Sequence, residues 1–249
     1  MSDEKQATFW DHLDELRDTI IRSIAVLLVF AIVAFVLKDT LFSIVLAPHS
    51  SQFVSYRWMG AEAFSLHLMN TGLTEQFMVH VRIALYAGLL CASPYILYEL
   101  FRFVSPGLYR NERKAAVKIV GSAYLMFITG TLVNYFIVFP LTVRFLGTYQ
   151  VSDEVTNMLT LQSYTDTLIS MSLVMGAVFE LPVVCAILSH AGFINRSMMT
   201  RYRRHAIIAI LVVSAIITPT TDALTLTVVA LPIWLLYEMS ILIVRGQNT

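Results

Sequence analysis

The segment Ile119–Val143, IVGSAYLMFITGTLVNYFIVFPLTV, contains no charged side chain. A helix rises 1.5 Å per residue, so about 20 apolar residues cross the ~30 Å hydrocarbon core of a bilayer. This stretch therefore predicts a transmembrane helix. Working outward, five more apolar stretches follow the same logic: Thr19–Leu37, Phe77–Leu100, Thr167–Ile194, Ala206 to about Ile217, and Ala223–Val244. The expected fold is all-α, a polytopic membrane protein with six transmembrane helices. The alternating ten-residue pattern of a membrane barrel is not seen. Ala206–Thr221 covers only about 24 Å even as continuous helix, and Pro219 disfavours helix in the residue before it. The last two helices are expected to be short.

Composition agrees. The 249 residues are 57% hydrophobic and 14% charged, with mean hydropathy +0.70, whereas soluble domains carry about 25% charged residues. A soluble globule of this length has too much surface to hide so much apolar area, and a disordered chain needs low hydrophobicity. The 17 basic residues balance the 17 acidic ones, so the basic excess of a nucleic-acid binder is missing. Cys91 and Cys185 lie in apolar runs and indicate no disulfide framework. The whole chain, 1–249, is expected to form one transmembrane domain.

Charge sets the orientation, because Lys- and Arg-rich short loops stay in the cytoplasm. With both termini inside, the inner side holds Lys5, Arg17, Arg22, the group from Arg102 to Lys118, the group from Arg196 to Arg204, and Arg245. The outer side holds Lys38, Arg57 and Arg144, with Arg82 near the outer boundary. Residues 1–18 are mixed-charge, unlike a secretory signal. Phe9, Leu13, Leu16 and Ile20 recur at helical spacing, predicting an amphipathic cytoplasmic helix that runs into the first span. Residues 38–76 read as a cap over the outer face, and 101–118 and 195–205 as cytoplasmic loops.

Motifs for catalysis are scarce. The sequence has no zinc-protease pair, phosphate loop or nucleophile elbow. His12, His49, His67, His80, His190 and His205 are scattered, so no metal site or cofactor is expected. The acids are more informative. Glu180, in Phe179-Glu180-Leu181-Pro182, falls near mid-membrane, where a charge costs about 2.5–3.5 kcal/mol. It either makes a packing hydrogen bond, near the Val178 carbonyl that Pro182 leaves without a donor, or serves as a functional carboxyl. Glu112 is either a first-turn acid after Asn111 or a carboxylate for a guanidinium. Glu15 has the same two readings. Asp222 is suited to cap the sixth span. Glu99 and Glu238 sit at span ends, where an interfacial role suffices.

In combination these segments resemble the TatC family, the multispanning subunits of twin-arginine protein translocases. His12-Leu13-Asp14-Glu15-Leu16-Arg17 is similar to the family's N-terminal box. Ser93-Pro94-Tyr95-Ile96-Leu97-Tyr98 is similar to its second span. Phe103-Val104-Ser105-Pro106-Gly107-Leu108-Tyr109-Arg110-Asn111-Glu112-Arg113 is similar to its first cytoplasmic loop. Phe179-Glu180-Leu181-Pro182 matches the fourth span, and Leu231-Pro232 with Leu236-Tyr237-Glu238 the sixth. The boxes stand in family order from residue 12 to 240.

The resemblance implies a non-enzymatic component of a protein export system in the bacterial inner membrane, driven by the proton-motive force. It implies recognition of paired arginines in the signal peptides of folded precursors. Glu15 and Glu112 match the acidic binding positions, set among His12, Leu16, Arg17, Pro106, Leu108, Tyr109 and Arg113. Two carboxylates suit two planar guanidinium forks. The basic loop around them suits anionic lipid head groups of the bilayer. Glu180, with Phe179 and Pro182, matches the intramembrane site for single-span partners of the TatA/TatB type. Pro48 matches an outer-loop proline, and Pro94 and Asp222 match family positions in the second span and before the sixth. Self-association into a multimeric complex is also implied. The sequence departs from the family at Thr218-Pro219-Thr220-Thr221-Asp222, one residue longer than usual, and at Leu226, where a polar residue is common; the polar docking site is not carried over there. The alternative function is a proton-coupled secondary transporter using Glu180, which calls for a midplane cavity and broken helices in paired positions. An intramembrane enzyme would need a nucleophile–base pair or a metal cluster, and the sequence offers neither.

Overall fold

The computed structural model of the chain describes residues 9–58, 67–104, 113–149, 152, 158–218 and 222–244. Two groups of segments make up the chain, 1–37 with 84–124, and 38–83 with 125–249.

In the first group, the amphipathic start and the first span are one helix, α1, Phe9–Val36. Its 28 residues would reach about 42 Å, more than the hydrocarbon core needs. The second long helix, α4 (Glu75–Val104), contributes its C-terminal part and contains Pro94. A proline inside a helix leaves the carbonyl four residues earlier without its donor. Here that carbonyl belongs to Leu90, and the Ser93 hydroxyl donates to it at 2.7 Å. The helix therefore continues through Pro94. Gly88 lets α4 meet α1 closely: a Cβ there would lie 2.7 Å from the Ala31 nitrogen and 2.8 Å from its Cα. Small residues allow such backbone approach in membrane helices. The third helix, α5 (Arg113–Val133), begins in this group.

The second group holds the larger core. Its helices are α2 (Lys38–Leu46), α3 (Val54–Trp58), the end of α5, α6 (Phe139–Thr148), α7 (Leu161–Phe179), α8 (Leu181–His190), α9 (Arg196–Arg201), α10 (Arg203–Ile217) and α11 (Ala223–Ile243). Between α5 and α6, Asn134–Val138 forms a π turn just ahead of Pro140. A proline cannot complete the helical ladder, and a π turn is one way to absorb the mismatch. Two short strands, β1 (Leu68–Met69) and β2 (Leu159–Thr160), pair in parallel, with Leu68 opposite Leu159. Val79, Ile83, Phe139, Tyr164, Met171, Met175, Val229 and Ile233 are buried together.

Three tyrosines fasten α2 and the 3-10 turn Ala47–His49 to this core. Tyr135 donates to the Ile44 carbonyl at 2.7 Å, and Tyr164 to that of Val45 at 3.0 Å. Tyr56, 1% exposed, has one proton to share between the carbonyls of Pro48 (3.0 Å) and Pro140 (3.1 Å). Burial raises the pKa of its hydroxyl, which keeps the donor protonated. Glu75 does similar work at the start of α4. One of its oxygens accepts from the Thr71 and Gly72 N–H groups at 2.8 and 2.9 Å, the other from the Gln162 N–H at 3.0 Å.

Among the described residues, five helical rods are long and apolar enough to cross a membrane: His12–Val36, Glu75–Phe103, Val117–Thr148, Leu161–His190 and Thr225–Ile243. The remaining expected span, the fifth in chain order, is α10, with 15 residues, about 22 Å. The sequence expectation that the last two helices are both short needs correction. Only α10 is short; α11 has 21 residues, about 31 Å. Asp222 caps α11 by accepting from the Thr225 N–H at 2.7 Å, and the helix runs on through Pro232.

Candidate functional site

On α1, His12, Glu15 and Arg22 recur at three- and seven-residue intervals and share one face of the helix. His12 stacks on Phe103 of α4, with ring centroids 4.4 Å apart and planes 16° from parallel. Its Nδ1 lies 3.8 Å from the Glu15 carboxylate. Glu15 is exposed and keeps at least one face toward water. Leu16 is half-buried, while Arg17 points into solvent and pairs with Asp14 and Asp18, each at 3.3 Å. The stacked His12–Phe103 pair thus lies beside an exposed carboxylate. Such a carboxylate suits a guanidinium through charge-assisted, paired hydrogen bonds. Pro106, Leu108, Tyr109 and Glu112 lie outside the described residues, and Arg113 enters only as the first residue of α5.

Glu180 is the turn between α7 and α8, with φ −72° and ψ −13°. Pro182 cannot donate to the Val178 carbonyl. The Glu180 backbone N–H turns instead to the carbonyls of Ala177 and Val178. The carboxyl is therefore not needed at Val178, contrary to the packing reading of the sequence. Its Oε1 is buried with no hydrogen-bond partner among the described residues. Glycines hold the turn in place. A Cβ on Gly130 of α5 would lie 2.6 Å from the Met175 carbonyl and 2.8 Å from Phe179, and one on Gly176 would lie 2.7 Å from Phe127. Phe179 and Pro182 are both buried. A half-buried acid with one buried, idle oxygen is costly, and an incoming polar group would repay it.

Elsewhere, Pro48 is buried in the 3-10 turn and Pro94 lies exposed on α4. Glu238 meets Arg203 at 2.8 Å in an ion pair. Sequence reading missed the pair between Arg82 of α4 and Asp166 of α7, at 2.6 and 2.7 Å, because the partners are 84 residues apart. It also underrated Glu99, which is buried against Arg22 and Arg102. The signal for it in the sequence was Arg102, three residues on and on the same face of the helix. Between α10 and α11 lies an apolar hollow of ≈ 310 Å³ lined by Ile207, Ile210, Leu211, Ala230, Leu231 and Trp234, with Thr227.

Most of the chain is similar to known proteins. The family model described as Sec-independent protein translocase protein (TatC) matches residues 11–232. The Sec-independent protein translocase protein TatC of Deinococcus radiodurans is 33% identical over 96% of this chain and 86% of its own length. TatC of Aquifex aeolicus is 32% identical, with 93% of this chain and 92% of that protein covered. A crystal structure described as the twin arginine translocase receptor TatC in DDM superposes with a TM-score of 0.79 at 32% identity, covering 94% of this chain and 99% of the other.

Proposed function

Because the chain belongs to the TatC family of Sec-independent protein translocase proteins, we propose that it is the receptor of a twin-arginine export system, binding paired arginines of precursor signal peptides at Glu15 and Glu112. The exposed Glu15 carboxylate beside the stacked His12–Phe103 pair is the observation that carries this reading. Leu16, Arg17, Pro106, Leu108, Tyr109 and Arg113 complete the surface. The carboxylates offer paired acceptors to two planar guanidinium groups.

In this reading the five long rods and α10 make six spans, both termini face the cytoplasm, and the chain resides in the bacterial inner membrane. The Lys/Arg distribution supports that orientation. The turn at Glu180 receives a polar side chain of a single-span partner of the TatA/TatB type, with Phe179 and Pro182 shaping it. The idle Glu180 oxygen supports this. The chain self-associates in the working complex, transport draws on the proton-motive force, and the subunit itself catalyses no reaction. Family membership favours this over a proton-coupled transporter.

The test is binding of an Arg-Arg peptide to the purified chain. Glu112→Ala is expected to weaken it by about 1.5–3 kcal/mol, the scale of a charge-assisted hydrogen bond, and Glu15→Ala to act in the same direction. Unchanged binding in the doubly substituted protein overturns the site.

A further inference from the structure

Glu99 is an acid in an unusual setting for a residue five positions from a helix end. It is 4% exposed, although the last turn of α4 offers a route to water. Arg22 of α1 lies 3.9 Å from one carboxylate oxygen, and Arg102 lies 3.8 Å from the other. These are ion-pair distances, too long for hydrogen bonds. Among the described residues no other cation lies within 4 Å of it. The acid is buried, yet both guanidinium groups are half-exposed, at 50% and 56%. Two cations thus reach the surface with a single carboxylate beneath them.

Their place on the helices links them to Glu15. Phe103 and Glu99 are four residues apart on α4, and His12 and Arg22 lie on one stripe of α1. The His12–Phe103 and Arg22–Glu99 contacts are two rungs of one seam, and Glu15 belongs to the same stripe. Seven helical residues separate Glu15 from Arg22, about 10 Å along the axis. That is close to the screening length at ordinary ionic strength, ~8–10 Å. At low ionic strength, where the screening length grows to ~30 Å, a free guanidinium at Arg22 would be felt by a cation arriving at Glu15.

We infer that Glu99 is a positioning and charge-balancing residue for the Glu15 site, holding Arg22 and Arg102 so that a dicationic segment is not repelled. The inference rests on the reading that Glu15 receives paired arginines; Glu99 itself touches no ligand. With Glu99 in place, Glu15, Glu99, Arg22 and Arg102 sum to zero. Without it they sum to +1, against a ligand carrying two positive charges. The burial of Glu99 argues against a direct contact, because a guanidinium from outside would first have to displace Arg22.

The experiment measures association of a labelled Arg-Arg signal peptide with the full chain in detergent, at low and at high salt. Glu99→Gln is expected to slow association by about three- to tenfold at low ionic strength, with the defect disappearing near 1 M salt. Arg22→Gln added to Glu99→Gln is expected to restore the rate at low salt. An unchanged rate for Glu99→Gln overturns the inference while leaving the Glu15 site standing. So does a defect that persists at high salt and resists Arg22→Gln, which would make the cluster a purely structural ion pair. Arg22→Gln alone is expected to speed association at low salt, and a double variant that stays as slow as Glu99→Gln overturns the inference in favour of Glu99 as a direct ligand. Failure of the unsubstituted chain to bind the peptide, or binding indifferent to Glu15→Gln with Glu112→Gln, overturns the site and the inference together.

Discussion

Glu180 shows how much one side chain decides. Its Oε1 is buried without a hydrogen-bond partner among the described residues, and in the proposed reading it takes a polar group from a partner helix, an interaction typically worth about 0.6–2 kcal/mol in a membrane. Glu180→Gln keeps a hydrogen-bonding group and loses titration, and it is expected to retain export far better than Glu180→Ala. Equal loss in both, with crosslinking of a single-span partner near the turn intact, would count against partner docking. Tyr56 is a second case. Its hydroxyl is shared by two carbonyls 92 residues apart, those of Pro48 and Pro140. Tyr56→Phe removes a buried donor and is expected to cost about 1–3 kcal/mol of stability, read as a lower midpoint of thermal unfolding in detergent. The residue types were legible in the sequence. The partners were not, because nothing local pairs residue 56 with residue 140.

At the level of elements, the helices follow from short-range rules, and their crossings follow from missing side chains. Gly88 is the clearest crossing, since its added Cβ would meet backbone atoms of Ala31 that cannot swing away. Gly88→Ala is expected to destabilise the α1–α4 pair by about 1–3 kcal/mol, the usual cost of overpacking. A bulkier Gly88→Val should cost more, and unfolding midpoints in matched detergent would rank them. Gly121 provides the control, because a Cβ there meets nothing within 4 Å. Helix ends give a smaller effect. Asp222→Ala removes the cap from α11 and is expected to cost about 0.5–2 kcal/mol, whereas Asp222→Asn keeps an acceptor and most of the stability. The length of α11 was misjudged from the sequence as one of two short helices. Pro219 argues for an early end to α10, but it says nothing about the helix that starts afresh at Ala223.

For the whole molecule, the expected arrangement is six spans with both termini in the cytoplasm. Cysteine labelling at Ser2, Gly60 and Asn157 tests it, with Ser2 reactive from the inside and the other two only from the outside. Labelling of Gly60 or Asn157 from the cytoplasm would overturn the orientation. The sequence by itself determined the helical class and the places of the long apolar rods. Bilayer thickness and a 1.5 Å rise convert residue counts directly into spans. It also determined that α1 would run unbroken from an amphipathic start, because its apolar spacing continues through the boundary. It picked out Glu180 because a lone charge in an apolar run stands out whatever the fold. Only the tertiary structure decided what those charges meet. Glu99 read as an interfacial acid until α1 brought Arg22 to it, and Arg82 read as a boundary charge until α7 supplied Asp166. The physical reason is range. Span formation depends on the summed hydrophobicity of about 20 consecutive residues, whereas an ion pair depends on two side chains brought within 4 Å by packing, and the spacing of letters along a chain carries no record of that distance.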